Sequence, residues 1–282
     1  MVAALSPSRA SDFMQCPLLY RFRVIDKLPS APSAAAARGT LVHSVLERLF
    51  DLPADGRTIE AAAALVGPQW QALLDGEPEL ADLVDGSDAA ALSAWFGDAV
   101  ALIEKWFTLE DPTRLEPAER ELYVEVDMDG LTLRGYVDRL DLTPTGEMRV
   151  VDYKTGRAPL AQFEGKALFQ MKFYALVLWK LRGQIPRMLQ LVYLGGDCQI
   201  VRYSPDESEL RAVERKLKAL WKAIESAAQS GDWQPSKSKL CDWCDHRALC
   251  PAWGGTPPPL PEHASILALD PHASAALMPA LD

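Results

Sequence analysis

The 282-residue chain has no apolar run close to the roughly 18 residues that a membrane span needs. Its longest candidate, Tyr174 to Trp179, is cut off by Lys180. Met1 to Ala10 lacks a charged stretch followed by an apolar one, so no secretory signal is expected and the chain reads as soluble and cytoplasmic. Catalytic signatures are missing too. No serine-nucleophile elbow and no HExxH occur. Gly165-Lys166 is followed by Ala167 and has no glycine five positions before Gly165, so the P-loop pattern fails and no ATP-driven motor is visible. Internal repeats are absent. Disorder is excluded as well, because 49% apolar and 24% charged residues is ordinary globular composition.

Basic residues are outnumbered, 29 against 39 acidic, for a net charge of −10. That balance alone argues against a nucleic-acid partner. The placement of the charges argues the other way, since residues 51–130 hold 19 Asp/Glu against 4 Lys/Arg and leave a mildly basic remainder. An anion would therefore bind outside 51–130.

Ser6-Pro7 opens a helix with a cap and a proline at its first position, running towards Cys16-Pro17. Gly39 to Phe50 reads as a second helix, with Leu41, Val45, Leu46 and Leu49 on one face. Thr58 and Ser87 cap helical patterns over 58–75 and 87–108, which fill the acidic block and read as an insertion or satellite. From Arg120 the period becomes two, giving strands over 120–128, 131–142 and 147–154. A helix over 163–182, strands over 187–194 and 198–203, and a charged helix over 206–229 follow. GGTPPPLP (254–261) reads as a linker, and 262–282 as a loosely held tail. These patterns predict an α/β chain with a mixed central sheet flanked by helices. The expected divisions are 1–50 (N-terminal helices), 51–115 (helical insertion), 116–205 (core), 206–253 (helix and cysteine loop) and 254–282 (linker and tail).

If the strands 131–142 and 147–154 pair around Thr145, Asp138 falls opposite Asp152, with Cβ atoms about 4.5–5.5 Å apart. Lys154 follows on the same face as Asp152. Leu140, Leu142 and Val150 share that face, so two like charges sit on partly buried ground and call for a cation. Two carboxylates beside a lysine suit Mg²⁺ or Mn²⁺. The plainer reading pairs Asp138 with Arg139 or Arg149.

The strings Gly135 to Asp141 (GYVDRLD) and Asp152 to Gly156 (DYKTG) weigh against that plainer reading. Together with His43 in GTLVH and Gln170-x3-Tyr174, they resemble the RecB-like branch of the PD-(D/E)XK nuclease superfamily. The resemblance implies a restriction-endonuclease-like fold and metal-assisted phosphodiester hydrolysis. It implies that Asp138, Asp152, His43 and the Tyr153 carbonyl ligate the metal. Lys154 would orient or help deprotonate the attacking water, and Gln170 and Tyr174 would contact DNA or brace Lys154. Glu121 is a weaker candidate, lining the site from the first strand. The implied activity is a DNA exonuclease taking single strands or free ends in repair or recombination, with a helicase or other repair protein as partner. Arg9, Arg21, Arg23, Arg157, Lys166 and Lys172 are candidates to track the backbone. Phe22 and Phe169 are candidates to stack bases, although such aromatics are more often core.

Five cysteines is an odd number, and three cluster as Cys241-x2-Cys244-x5-Cys250. In a cytoplasmic chain such clustering points to metal ligation rather than disulfides. With Cys16 as the distant fourth, the set can hold a [4Fe–4S] cluster. The segment Phe13 to Arg21 around Cys16 is similar to the first half of the iron-staple pattern in the same RecB-like branch. A zinc site from Cys241, Cys244, His246 and Cys250 is the rival. Cys198 reads as a small core residue on a strand. Two other functions share these motifs: a catalytically silent nuclease-like module that holds DNA or a helicase, and a nuclease of CRISPR spacer acquisition.

Overall fold

The computed structural model describes residues 4–84, 88–159 and 165–269. Six strands form one mixed sheet: β1 (Ala4–Leu5), β2 (Glu119–Met128), β3 (Leu131–Leu142), β4 (Met148–Arg157), β5 (Met188–Gly195) and β6 (Gln199–Tyr203). Their order is β1-β3-β4-β5-β6, with β2 on β3 as well. The turn after β3 closes through Gly146 N–H to Thr143 O (2.8 Å) and Thr143 N–H to Glu147 O (3.0 Å). It sets the register Arg139↔Val151 and Leu140↔Val150, which is pairing around Thr145 as expected. Pairing of β3 with β4 stops at Arg139, while β1 takes up Thr132 and Leu133. A gap therefore opens in the sheet beside Asp138.

One face of the sheet packs on α1 (Pro7–Gln15), α6 (Gly165–Arg182), α7 (Glu207–Ser230) and α8 (Ala264–Leu269). The other packs on α3 (Ala34–Leu49), α4 (Ile59–Gly76) and α5 (Ala89–Leu109), through Val151, Tyr153, Val192 and Leu194. The acidic helices 59–109 thus share a core with β4 and β5. Local chemistry explains the helix ends. Ser6 and Thr58 accept from Arg9 N and Ala61 N, and Asp206 with Glu209 forms a reciprocal cap on α7.

Several expectations shift. The second helix starts at Ala34, because Ser33 caps it by accepting from Ala36 N. α2 (Pro17–Tyr20) and a π-turn at Arg21–Ile25 follow Cys16 without any periodic signal. The linker and tail are tied down as far as Leu269: Arg21 Nη2 donates to Pro258 O (2.5 Å), and Tyr20 Oη to Ala268 O (2.7 Å). Cys198 lies in the β5–β6 turn with φ 26°, half-buried, and not on a strand. Ser87, the first residues of the 163–182 helix and the tail beyond Leu269 lie outside the described residues. Among the described residues, no helix is long and apolar enough to cross a membrane.

Candidate metal centre and cysteine pocket

His43 projects from α3, whose Leu41, Val42, Val45, Leu46 and Leu49 are buried. Its Nε2 lies 3.0 Å from Tyr153 O, and its Nδ1 lies 3.4 Å from Asp138 Oδ2. Burial holds the imidazole below its usual pKa and therefore neutral. With Nε2–H donating to the Tyr153 carbonyl, the Nδ1 lone pair faces a carboxylate. Asp138 Oδ2 also accepts from Tyr153 N (2.7 Å). Burial first, then the charge of Asp152, raises the Asp138 carboxyl well above the usual range.

Glu121 completes this group. One ligand atom each from His43, Glu121 and Asp138 fall within 4.8 Å of one another. In the β2–β3 ladder Glu121 sits between the pairs Arg120↔Arg139 and Leu122↔Val137, which places it across from Asp138. Its backbone is left-handed, φ 42°, a conformation unfavourable for a side chain of this kind. Burial and the neighbouring Asp138 raise its carboxyl to about 7. Sequence reasoning undervalued Glu121 because nothing local marks a left-handed glutamate on a strand.

Asp152 heads a second, adjoining string. It is 2% exposed; its Oδ1 accepts from Gln170 Nε2 (3.1 Å), and its Oδ2 lies 2.8 Å from Lys154 Nζ. Lys154 Nζ also donates to Gln170 Oε1 (3.1 Å), and Gln170 Nε2 lies 3.4 Å from Tyr174 Oη. Gln170 and Tyr174 thus brace the lysine and carboxylate, one helical turn apart on α6. Asp152 Oδ2 is buried, and among the described residues Lys154 Nζ at 2.8 Å is its counter-charge. Gly135 on β3 makes room for this string, since a Cβ there would stand 2.8 Å from Tyr174 Cε1.

The two halves open differently. Lys154, Gln170 and Tyr174 line a groove of about 860 Å³, together with Ser8, Asp12, Tyr136 and Arg157. His43, Glu121 and Asp138 line a narrow recess on the α3 side, with Glu47 and Arg120. Arg120 is turned away to Glu47 O and Asp51. The plainer pairing of Asp138 does not occur. Arg139 is 1% exposed and binds Glu110, Asp141 and Tyr153 Oη, while Arg149 binds Asp141.

Cys16, Cys241, Cys244 and Cys250 line one cavity, and none forms a disulfide. Cys16 Sγ accepts from Ser236 N and Cys241 Sγ from Ser238 N, both at 3.4 Å. His246 is buried against the Phe22 ring and does not line the cavity. Among the proposed backbone-tracking residues, Arg21 is buried in an ion pair with Asp26. Lys172 is paired with Glu209 and Arg23 with Asp12. Phe22 and Phe169 are core, and the Lys166 side chain lies outside the described residues.

Comparison with known proteins places the chain in a wider set. The family model of the PD-(D/E)XK nuclease superfamily matches residues 4–251. The chain is 25% identical over 276 residues to the Gene 69 protein of Mycobacterium phage D29, covering 88% of this chain and 96% of the relative. It is 23% identical over 286 residues to the Gene 69 protein of Mycobacterium phage L5, with the same coverage. A crystal structure from Eubacterium rectale, provisionally assigned as an exonuclease, shares the fold at a TM-score of 0.56. Its sequence identity is 14%, over 86% of this chain and 88% of that one.

Proposed function

Since the chain belongs to the PD-(D/E)XK nuclease superfamily, we propose that it is a divalent-metal-dependent deoxyribonuclease, an exonuclease taking single strands or free ends in repair or recombination. The crowding of His43, Glu121 and Asp138 carries this reading. Three acceptor groups converge there while the two arginines lining the recess, Arg120 and Arg139, are engaged by Asp51 and Glu110. A neutral imidazole and the carboxylates of Glu121, Asp138 and, beside them, buried Asp152 fit Mg²⁺ or Mn²⁺. When bound, such an ion polarises the phosphoryl oxygen and acidifies a water. His43, Asp138, Asp152 and the Tyr153 carbonyl would hold it, with Glu121 as a fifth donor. Lys154, fixed by Asp152 and Gln170, orients the attacking water and takes up charge developing on the phosphate. Tyr174 keeps Gln170 in place. DNA ends come from a helicase or another repair protein, in keeping with the missing P-loop.

The cysteine pocket fits a structural [4Fe–4S] cluster. Four thiols face one cavity, and backbone N–H groups point at two of the sulfurs, as they do around cluster thiolates. The position of His246 against Phe22 disfavours the zinc alternative. Such a cluster would join the N-terminal helices to the loop 241–250.

The test is anaerobic purification, metal analysis, and incubation of end-labelled single-stranded DNA with Mn²⁺ or EDTA. Iron in the protein and metal-dependent cleavage that Asp152→Ala abolishes, with binding retained, are expected. A wild type that binds DNA and never cuts it would overturn the enzymatic reading. Zinc in place of iron would overturn the cluster.

A further inference from the structure

β2 and β3 carry a second pair of facing residues one step beyond Glu121 and Asp138. Tyr123 and Tyr136 are direct ladder partners, two residues further along each strand. On β3 buried Val137 lies between Tyr136 and Asp138, so Tyr136 projects from the same side as Asp138, and Tyr123 shares that side as its ladder partner. A two-residue step along a strand is about 7 Å. The tyrosines do not belong to the core: Tyr136 is 57% exposed and Tyr123 46%. Their ring centroids are 5.2 Å apart at 54°, and the Tyr123 hydroxyl donates to the Glu125 carboxylate, which holds the rear ring in place. Tyr136 lines the same groove as Lys154, Gln170 and Arg157.

Exposing two large aromatics costs burial that the fold could have used. Of the pair, Tyr136 lines the groove and Tyr123 lies behind it. Resting on the nuclease reading above, we infer that Tyr136, backed by Tyr123, is a stacking platform for an unpaired base next to the scissile phosphate. It is a positioning residue that sets a preference for single-stranded substrate. An unpaired base can offer its face to the ring, whereas the bases inside a duplex are stacked on one another. Arg157, in the same groove, supplies positive charge for the adjoining phosphate.

The experiment measures cleavage of a single-stranded oligonucleotide, and of the same strand with one abasic position moved stepwise from the cut site. Wild type, Tyr136→Ala and Tyr136→Trp are compared. Stacking strengths predict that Tyr136→Ala raises KM roughly ten- to a hundredfold with kcat nearly unchanged, and that Tyr136→Trp restores KM. One abasic position should weaken wild type by the same factor and leave Tyr136→Ala unaffected. 2-Aminopurine at that position should be quenched by wild type, with Ca²⁺ replacing Mn²⁺, and not by Tyr136→Ala. Equal KM for wild type and Tyr136→Ala, or an abasic penalty equal in both, would overturn the platform while leaving the nuclease reading intact. A wild type that neither binds nor cuts any strand would overturn both.

Discussion

Removing the Glu110 carboxylate should destabilise the whole protein, although Glu110 lies just past α5, at the edge of the acidic helices. Its side chain accepts four hydrogen bonds: from Arg139 Nη1 (2.9 Å) and Nη2 (2.8 Å), Trp106 Nε1 (2.8 Å) and Gln190 Nε2 (2.9 Å). The side chains of Arg139 and Glu110 are 1% and 7% exposed. Breaking a buried pair by truncating one partner costs about 3–5 kcal/mol, because the other charge stays buried. Asp141 and Tyr153 Oη still face Arg139, which favours the lower end for Glu110→Ala. At about 2.1 cal/mol/K per residue of unfolding entropy, that is a loss of about 5–8 °C in Tm. Glu116→Ala removes a carboxylate that is 80% exposed; its buried partner Arg57 keeps bonds to Leu52 O, Pro112 O and Leu115 O, so the cost should be smaller, about 1 kcal/mol. Calorimetry or thermal circular dichroism of the two variants provides the comparison. Burial pushes the Glu110 carboxyl up, but hydrogen bonds and charge from Arg139 outweigh it and leave the group below its usual range. Its stabilisation is therefore present above the unfolded carboxylate pKa and lost as pH falls through the folded one, so Glu110→Gln should blunt the acid limb. A Glu110→Ala protein melting within 1 °C of wild type (roughly 0.6 kcal/mol on the same entropy) would refute the claim that this pair clamps α5 to the sheet.

Gly135→Ala puts a methyl 2.8 Å from Tyr174 Cε1 and should cost about 1–3 kcal/mol by overpacking, with cleavage falling more than binding as Gln170 loses its brace. Glu121 has its carboxyl raised to about 7, so in EDTA its contribution is present below pH 4.5 and lost as pH rises through 7. After discounting for solvent screening, stability should fall by about 1–2 kcal/mol between pH 5 and 8, and Glu121→Gln should flatten that slope in denaturant titrations. Mn²⁺ should reverse the loss in wild type. On the cluster proposed for the cysteine pocket, Cys16→Ser should lower iron content and Tm, whereas Cys198→Ser, in the β5–β6 turn, should do neither.

The residues that fold locally were the readable ones. β3 runs over the residues its alternation predicts, and the Thr143–Glu147 turn fixes the register that brings Asp138 towards Asp152. Gln170 and Tyr174 come from the family resemblance, and the fixed period of a helical turn adds that they share one face of α6. What stayed hidden depends on distant partners. Arg139 looked like a partner for Asp138, yet it turns to Glu110, which no local pattern connects with β3. Glu121 owes its place to a left-handed backbone. α8 has too few residues for a periodic signal and is held by Tyr20 from the far end of the chain.

That last contact has a consequence for how the molecule is made. Tyr20 and Ala268 are 248 positions apart, and Arg21 reaches Pro258 from the same turn. On the ribosome, N-terminal residues emerge first and the segments that pin them emerge last. α1, which supplies Ser8 and Asp12 to one wall of the groove, waits in a nascent chain without its packing partners. Closing so long a loop is slow and comes late. A half-made chain would carry the His43, Asp138 and Asp152 side chains before residues 258–268 had emerged to pin the turn that follows α1.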